Sequence, residues 1–136
     1  MYEIDKKTQG RIYNALRRLT YSYPPNAEVR RRNKIDKALF CCEECKRYCY
    51  EGKSKRNFAV LVTKYPNNTV IMEKCEVDHI DPIIPIQTGW KWDWNDIIRR
   101  MFCSIKNLKL LCKSCHKGKT SGESTERAVI RKSSKK

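Results

Sequence analysis

The spacing of apolar residues predicts two helices near the start of the chain. In residues 8–20, Ile12, Leu16 and Leu19 recur at intervals of four and three, which places them on one face of an amphipathic helix. Two consecutive prolines then end this element, and a second helix is predicted for residues 26–39.

The middle of the chain is predicted to form a β-hairpin. Apolar residues occupy alternate positions within residues 57–65, and a second apolar run lies within residues 69–77. The segment Pro66-Asn67-Asn68 between them is typical of a turn. We therefore expect two antiparallel strands joined by this turn.

The last third of the chain is predicted to contain two helices and a strand. Asp93 is a suitable N-cap for a helix that ends near residue 102, and residues 108–111 have the composition of a short strand. A second helix is predicted after Cys115, and the Ser- and Lys-rich residues 121–136 are expected to form a mobile tail.

The composition adds a strong positive charge. The 136 residues, enough for about one domain, contain 30 Lys and Arg against 15 Asp and Glu, for a net charge of +15. Such an excess suits a polyanionic partner such as nucleic acid. No apolar run approaches the ~18–20 residues of a membrane span, and the N-terminus lacks the features of a secretory signal. We therefore expect neither an integral membrane protein nor a secreted one.

Eight cysteines in such a chain suggest metal ligands and free thiols rather than disulfides. Two pairs, Cys42 with Cys45 and Cys112 with Cys115, have the two-residue spacing of a metal knuckle, and four thiolates complete a tetrahedral structural zinc site. The alternative is two chance pairs of free thiols. Cys41 adjoins Cys42 and is an alternative ligand in its place, but only Cys42 has the two-residue spacing to Cys45. The cysteines expected to be ordinary, partly buried residues are Cys41, Cys49, Cys75 and Cys103.

Both histidines of the chain stand in polar segments beside other chemically active residues. His79 follows Asp78 at the end of the second predicted strand, whereas His116 directly follows the second cysteine pair. Asn107 begins the strand that leads to this pair. A single histidine at a strand end is usually structural, but the ordered combination of these residues is far more specific.

In this order of residues the chain resembles the HNH endonuclease family. The shared pattern is a CxxC pair, a hydrophobic-Asp-His-Ile segment, and Asn-Leu-x-x-Leu-Cys-x-x-Cys-His-x-x-Lys-Thr, and it covers residues 42–120. The segment from Gly89 to Phe102 is similar to small bacteriophage-type members. The long connection at residues 46–76 departs from the family pattern and bears on local substrate contacts.

The resemblance implies an α+β protein with a ββα-metal core, a structural zinc knuckle and N-terminal basic helices. Carried onto this sequence, His79 is the general base, Asp78 and His116 bind a Mg²⁺- or Mn²⁺-type ion, and Asn107 holds the His79 segment in register. These roles suit phosphodiester hydrolysis, which needs a base that titrates near neutral pH and a Lewis acid. The alternative for His116 is a further ligand of the zinc site. Adjacent residues of a regular strand face opposite ways, so a kink is expected at Asp78.

Basic and aromatic residues supply candidates for contacts with nucleic acid. The candidates for phosphate contacts are Arg30, Arg31, Arg32, Arg99, Arg100 and Lys119. For the Arg30–Arg32 run and for Lys119, a solvated surface position is the alternative. Trp90, Trp92 and Trp94 can stack on bases, but three tryptophans near a core more often pack against it.

We therefore expect a metal-dependent DNA endonuclease with low sequence specificity, because phosphate contacts carry little base information. The expected organisation is a basic helical arm (residues 1–40), a nuclease domain (41–120) and a basic tail (121–136). The likeness to bacteriophage-type members implies phage DNA processing or packaging beside a terminase, in the cytoplasm of a bacterial host. The main alternative is a non-catalytic, zinc-stapled DNA-binding module. A nuclease inhibitor that mimics DNA is disfavoured, because such mimics are acidic.

Overall fold

Helices and short strands alternate along the computed structural model of the chain, which describes residues 3–89 and 93–134. The helices of this part are α1 (Lys6–Leu19), α2 (Pro24–Arg32), α3 (Lys55–Lys64), α4 (Trp94–Met101) and α5 (Lys113–Ser134). The strands are β1 (Lys34–Asp36), β2 (Leu39–Cys41), β3 (Tyr48–Tyr50), β4 (Val70–Ile71), β5 (Cys75–His79) and β6 (Leu108–Cys112). Two 3-10 turns, Thr20–Ser22 and Ile105–Asn107, precede α2 and β6. The predicted mixed α+β class is confirmed. None of the described helices is long and apolar enough to cross a bilayer.

Side chains at the helix starts fix two of the predicted boundaries. The carboxylate of Asp5 accepts a hydrogen bond from the backbone N–H of Thr8 at 2.7 Å, which starts α1. Asp93 does the same for the N–H of Asp96 at 3.3 Å, which starts α4. The predicted helices at residues 8–20 and 93–102 are thus confirmed, with boundaries that shift by one or two residues.

The strands form two separate sheets. The first has the order β1-β2-β3-β4, with antiparallel pairs except for the parallel pair β3–β4. The second consists of β5 and β6, which pair antiparallel without interruption from Cys75 opposite Cys112 to His79 opposite Leu108. Helix α5 follows β6 directly and packs against both strands. The structure therefore contains a unit of two strands and a following helix, and the second cysteine pair lies at the junction of β6 and α5.

Strand β6 lies at the centre of the main core. Leu108, Leu110 and Leu111 are at most 1% exposed, and Val29 of α2 packs into the same cluster with no exposed surface. A second cluster joins α4 to Tyr13 and Leu16 of α1. The N-terminal helices are therefore packed against the body of the molecule, whereas the sequence predicts that they form a basic arm.

The predicted β-hairpin is wrong in its first strand. Residues 55–64 form α3, because Phe58 and Leu61 are spaced for a helix. Both pack into a third apolar cluster, with Leu39 of β2 and Tyr50 of β3. Val60 and Val62, which created the alternating pattern, are 58% and 44% exposed. The hydroxyl of Ser54 accepts a hydrogen bond at 3.2 Å from the first turn and caps the helix. The long connection at residues 46–76 is therefore not a hairpin, because it contains β3, α3 and β4 and leads into β5.

The second predicted helix ends earlier than the sequence indicates. The side-chain amide of Asn33 donates a hydrogen bond to the carbonyl of Val29 at 2.9 Å, and α2 ends at Arg32. Residues 34–41 then form β1 and β2 around Ala38, which has a left-handed φ of 57°. The spacing of Ile35 and Leu39 fits a helix, but pairing of β2 with β3 buries Leu39 completely.

Two further expectations also differ from the structure. Residues 121–134 were predicted to be mobile, but they continue α5, and Arg127 donates a hydrogen bond to the carbonyl of Pro85 at 3.2 Å. The kink expected at Asp78 is not present, because β5 keeps its register with β6 through His79. Asp78 and His79 consequently point to opposite faces of an ordinary strand.

Candidate metal centre and candidate active site

The two cysteine pairs meet in one cluster, as the spacing predicts. The sulfur atoms of Cys42, Cys45, Cys112 and Cys115 all lie within 4.8 Å of one another, and those of Cys45 and Cys112 are 3.8 Å apart. Four Zn–S bonds of ~2.3 Å in a tetrahedron separate the sulfurs by about 3.8 Å. The four cysteines are therefore close enough to hold a metal ion such as zinc.

The backbone holds this cluster in place from both sides. Cys42 and Cys45 lie on a turn after β2 that is closed by the N–H of Lys46, which donates to the carbonyl of Cys42 at 3.0 Å. Across the cluster, the N–H of Cys112 donates to the sulfur of Cys42 at 3.3 Å, and the N–H of Cys115 donates to the sulfur of Cys112 at 3.4 Å. The end of β6 and the first turn of α5 are thereby joined to β2.

Arg47 reaches the same cluster with its guanidinium group. Nε donates to the sulfur of Cys45 at 3.3 Å, and Nη2 lies 3.5 Å from the sulfur of Cys112. Burial opposes ionisation of Cys45, but the hydrogen bonds from Arg47 outweigh it and lower the pKa of this thiol to about 6. Arg47 therefore places a fixed cation beside one thiol that ionises readily. Burial raises the pKa of the Cys112 and Cys115 thiols, so a bound metal ion would have to displace their protons.

The remaining four cysteines lie outside the cluster, and all eight are free thiols. Cys49 and Cys75 are buried, whereas Cys41 and Cys103 are half-buried. Cys42, not its neighbour Cys41, faces the other cluster sulfurs, which resolves the alternative left open by the sequence. Burial raises the pKa of the Cys41 thiol.

His79 lies at the end of β5 with its ring held by a backbone carbonyl. Its Nε2 atom is 2.8 Å from the carbonyl oxygen of Met101. Since a carbonyl only accepts, Nε2 carries the proton, and Nδ1 of the neutral ring keeps a free lone pair. Burial lowers the pKa of His79 below its usual value, which favours this neutral form.

On the opposite face of β5, Asp78 and His116 lie together. Oδ1 of Asp78 is 3.5 Å from Nε2 of His116. The other imidazole nitrogen, Nδ1, lies 3.1 Å from the carboxylate of Glu76, two residues earlier on β5. Glu76 can thus hold the His116 ring with Nδ1 protonated and Nε2 directed at Asp78, the usual arrangement around a metal-binding histidine.

The second oxygen of Asp78 is buried beside a lysine. Oδ2 forms an ion pair with Nζ of Lys119, which lies 3.0 Å away. Lys119 also donates to the carbonyl of His79 at 2.9 Å and forms a short ion pair with Glu123. Burial opposes the charge of Lys119, but its two carboxylate partners raise the pKa of the ammonium above its usual value. Lys119 is therefore not the solvated lysine considered as an alternative.

Asn107 joins the start of β6 to the segment after His79. Its Oδ1 accepts from the backbone N–H of Asp81 at 2.9 Å, and its Nδ2 lies 3.3 Å from the Asp81 carbonyl. The backbone N–H of Ile80 adds a hydrogen bond to the Asn107 carbonyl at 2.8 Å. These contacts are those expected of a residue that holds the His79 segment in register; its part in catalysis stays a prediction.

Several of the predicted phosphate contacts are engaged inside the protein. Arg30 forms a short ion pair with Glu51 and donates to the carbonyl of Cys75 at 3.1 Å. Arg32 pairs with Glu43 at 2.9 Å. These hydrogen bonds fix α2 to both sheets and leave little of either charge for a ligand.

Of the other arginine candidates, one is paired within the protein and two are exposed. Arg100 pairs with Asp81 at 3.0 Å and donates to the carbonyl of Pro82 at 2.7 Å. Arg31 is exposed, and Arg99 is exposed with a single contact of 4.0 Å to Asp96, so both remain available for phosphate contacts. Trp94 is half-buried against the core cluster of α4, in line with the packing role favoured from the sequence. Trp90 and Trp92 lie outside the described residues.

Two adjoining cavities of about 390 and 290 Å³ surround the end of β5. Arg17, Val77, His79 and His116 line both, and Asp78 lines the smaller one. Arg17 is exposed and forms no ion pair with any carboxylate of the described residues. The cavities therefore combine a neutral imidazole, a carboxylate–imidazole pair and an uncompensated guanidinium.

Three residues of these sites were not found from the sequence. Arg17, Arg47 and Glu76 belong to no spacing motif, and their roles depend on which side chains the fold places beside them. For Glu76 a weak signal exists, because it lies two residues before Asp78 and therefore shares its strand face.

Comparisons with known proteins add no assignment. No family model matches the chain, and neither a curated protein nor a solved structure matches it significantly.

Proposed function

We propose that the protein is a metal-dependent DNA endonuclease of the HNH type, which hydrolyses phosphodiester bonds. The observation that carries this proposal is that His79, at the end of β5, lines the same cavity as Asp78 and His116, between β5, α1 and α5. A unit of two antiparallel strands and a following helix is what a ββα-metal core requires. All three side chains come from the positions that carry the family resemblance in the sequence.

In this proposal His79 is the general base. Its protonated Nε2 is occupied by the carbonyl of Met101, which leaves the lone pair of Nδ1 to accept a proton from water. The lowered pKa keeps the ring neutral at physiological pH, as a base must be before it acts. Asn107 is a positioning residue, because it fixes the backbone of Asp81, two residues beyond His79.

Asp78 and His116 are proposed to hold a divalent ion of the Mg²⁺ or Mn²⁺ type. Two adjacent ligands of an octahedral ion at ~2.1 Å are about 3 Å apart, near the 3.5 Å between Oδ1 and Nε2. When bound, such an ion stabilises negative charge on the scissile phosphate and the leaving oxygen. Glu76 orients the His116 ring for this purpose.

Arg17 is proposed to bind the scissile phosphate. It lines the same cavities as His79 and has no carboxylate partner in residues 3–89 and 93–134, whereas the charge of Lys119 is offset by Asp78 and Glu123. A guanidinium donates two parallel hydrogen bonds to a phosphate, so it both orients the group and offsets its charge. Arg31, Arg99 and the net charge of +15 would add contacts along the DNA with little base specificity.

The four-cysteine cluster is proposed to hold structural zinc. A closed shell of four thiolates leaves no open position for substrate, so this ion would stabilise the fold and take no part in the reaction. The catalytic and structural ions would then be separate, and His116 would serve the catalytic one.

The test is cleavage of supercoiled plasmid by zinc-loaded protein in buffers with Mg²⁺, with Mn²⁺ and with no added divalent ion. We expect nicking that depends on Mg²⁺ or Mn²⁺ and is lost at least 100-fold in His79→Ala. Ile80→Ala is the matched control, because Ile80 is the next residue, is 48% exposed and lines neither cavity. Circular dichroism spectra of both variants are compared with that of wild type, to check that each keeps the fold.

Two outcomes would overturn parts of this proposal. A His79→Ala protein that still cuts at the wild-type rate would refute the role of His79 as base. Binding of DNA without cleavage in any metal would favour the alternative, a zinc-stapled DNA-binding module.

The resemblance to bacteriophage-type members further leads us to propose a role in phage DNA processing or packaging, in the cytoplasm of a bacterial host. A terminase would then be the partner protein. Co-purification with terminase subunits and a change in cleavage on adding them are expected. Unchanged cleavage with no co-purification would argue against this role.

A further inference from the structure

Tyr21 is the most exposed large hydrophobic side chain of the described residues, at 85%. It lies in the middle of the 3-10 turn Thr20–Ser22, between α1 and α2. An exposed tyrosine alone is unremarkable on a protein surface. Tyr21 differs from such a tyrosine because the backbone on both sides of it is anchored and because it lines a cavity of the candidate active site.

The chain on both sides of Tyr21 is anchored. Thr20 is buried, its hydroxyl donates to the carbonyl of Arg17 at 2.6 Å, and its own carbonyl accepts from Asn26 at 2.7 Å. On the other side, the hydroxyl of Tyr23 donates to the carbonyl of Cys103 at 2.9 Å. The backbone is therefore fixed to the body of the molecule while the ring of Tyr21 projects into solvent.

The ring also stands at the candidate active site. Tyr21 lines the cavity of about 390 Å³ whose walls include Arg17, His79 and His116. A phosphate bound at Arg17 and His79 would bring the attached nucleotide next to this ring. Nucleobases present a flat π-face on which a tyrosine stacks, and every base offers one.

A base inside intact duplex cannot meet this ring, since both its faces are covered by neighbouring base pairs. We propose that Tyr21 stacks on an unpaired base next to the scissile phosphate, so that single-stranded or locally unpaired DNA is the preferred substrate. This inference rests on the proposed endonuclease function and adds the substrate class. Tyr21 is a specificity residue here, and it takes no part in proton transfer.

The experiment compares cleavage of three oligonucleotides of one sequence: intact duplex, duplex with a three-nucleotide bubble, and single strand. Wild-type protein is expected to cut the bubble and the single strand about tenfold faster than the duplex, the size of a single base–aromatic stacking contribution. Tyr21→Ala should lose about tenfold more activity on the bubble than on the duplex. Tyr21→Phe and Tyr21→Trp should keep the preference, because they keep the ring.

Leu19→Ala is the matched control. Leu19 is 57% exposed on the same corner of the molecule but lines neither cavity. Tyr21→Ala protein that cuts all three substrates as wild type does would overturn the inference, and would leave Tyr21 as a contact for another protein. An equal loss on all three substrates would also overturn it, because a general docking contact does not distinguish paired from unpaired bases.

Binding separates failure of this inference from failure of the proposed function. Fluorescence anisotropy with the same oligonucleotides needs no cleavage. If wild-type protein cuts nothing in any metal, the endonuclease proposal fails, yet tighter binding of the bubble that is lost in Tyr21→Ala would still support stacking. If cleavage occurs but neither rates nor affinities depend on the ring, the endonuclease proposal stands and this inference fails.

Discussion

Arg47 contacts both halves of the cysteine cluster, because its Nε and Nη2 atoms donate to sulfurs of Cys45 and Cys112. A metal ion with charge +2 bound by four thiolates has a net charge of −2. A guanidinium fixed beside two of the sulfurs offsets part of that charge without competing as a ligand. The same contacts keep the sulfurs of the two knuckles at bonding positions.

We predict that Arg47→Gln releases zinc about 10- to 100-fold faster than wild type when challenged with a chromogenic chelator, as is typical for partners of metal ligands. The absorbance of the chelator–zinc complex measures the rate. Arg56→Gln removes an equally basic but exposed residue and should release zinc at the wild-type rate. Equal release from Arg47→Gln and wild type would show that Arg47 is a bystander.

At the residue scale, the sequence predicted the candidate metal ligands better than it predicted the side chains that contact them. The four clustered cysteines follow from local spacing, because a knuckle is made by three consecutive peptide units. Arg17, Arg47 and Glu76 contact the sites through side-chain directions set by α1, the first knuckle and β5. No short pattern encodes such directions, so these residues emerge only from the fold.

Helix α1 directs Arg17 at the cavities and carries Arg18 beside it. Arg18 is also exposed but lines neither cavity, so the pair separates a local contact from a general charge effect. We predict that Arg17→Ala lowers the nicking rate at saturating DNA by roughly 10- to 100-fold, because a charge-stabilising donor is lost in the transition state. Arg18→Ala should weaken DNA affinity by severalfold and leave the saturated rate near that of wild type.

Single-turnover kinetics at several DNA concentrations make this comparison. Arg17→Lys should recover part of the rate, since it restores the charge without the two-pronged geometry. Equal losses in Arg17→Ala and Arg18→Ala would mean that α1 contributes only to the general attraction of DNA.

At the element scale, prediction succeeded where one pattern was compatible with one structure. Helix α1 and helix α4 have apolar stripes and acidic N-caps, and both appear as expected. Helix α3 was predicted as a strand because Phe58, Val60 and Val62 alternate, while Leu61 supplies the competing helical spacing. When a segment fits both a strand and a helix, the structure it adopts depends on which of its faces is buried. For α3 that burial depends on β2 and β3, whose contacting residues are distant in the sequence.

The cysteine cluster is the connection that joins distant parts of the whole molecule. It ties the turn after β2, in the four-stranded sheet, to the end of β6 and the start of α5, where His116 directly follows Cys115. Structural zinc contributes ~10–16 kcal/mol in small zinc-binding peptides. Domains of this size have a free energy of unfolding of only about 5–15 kcal/mol. If zinc occupies the cluster, the metal-free protein should therefore lack a stable fold.

Cys45→Ser tests this dependence most directly. Cys45 is the cluster residue nearest the solvent, so the change leaves no cavity in the core and its effect reports on the metal. We predict that the variant purifies with well under one zinc per chain and has no cooperative thermal transition by circular dichroism, whereas wild type unfolds cooperatively. Cys41→Ser, four residues earlier and outside the cluster, should keep both zinc and the transition.

Wild-type protein treated with a chelator should behave like Cys45→Ser and recover on addition of zinc but not of Mg²⁺, since a soft thiolate shell does not bind a hard ion. Cooperative unfolding of Cys45→Ser at the wild-type temperature would mean that packing around β6 alone supports the fold.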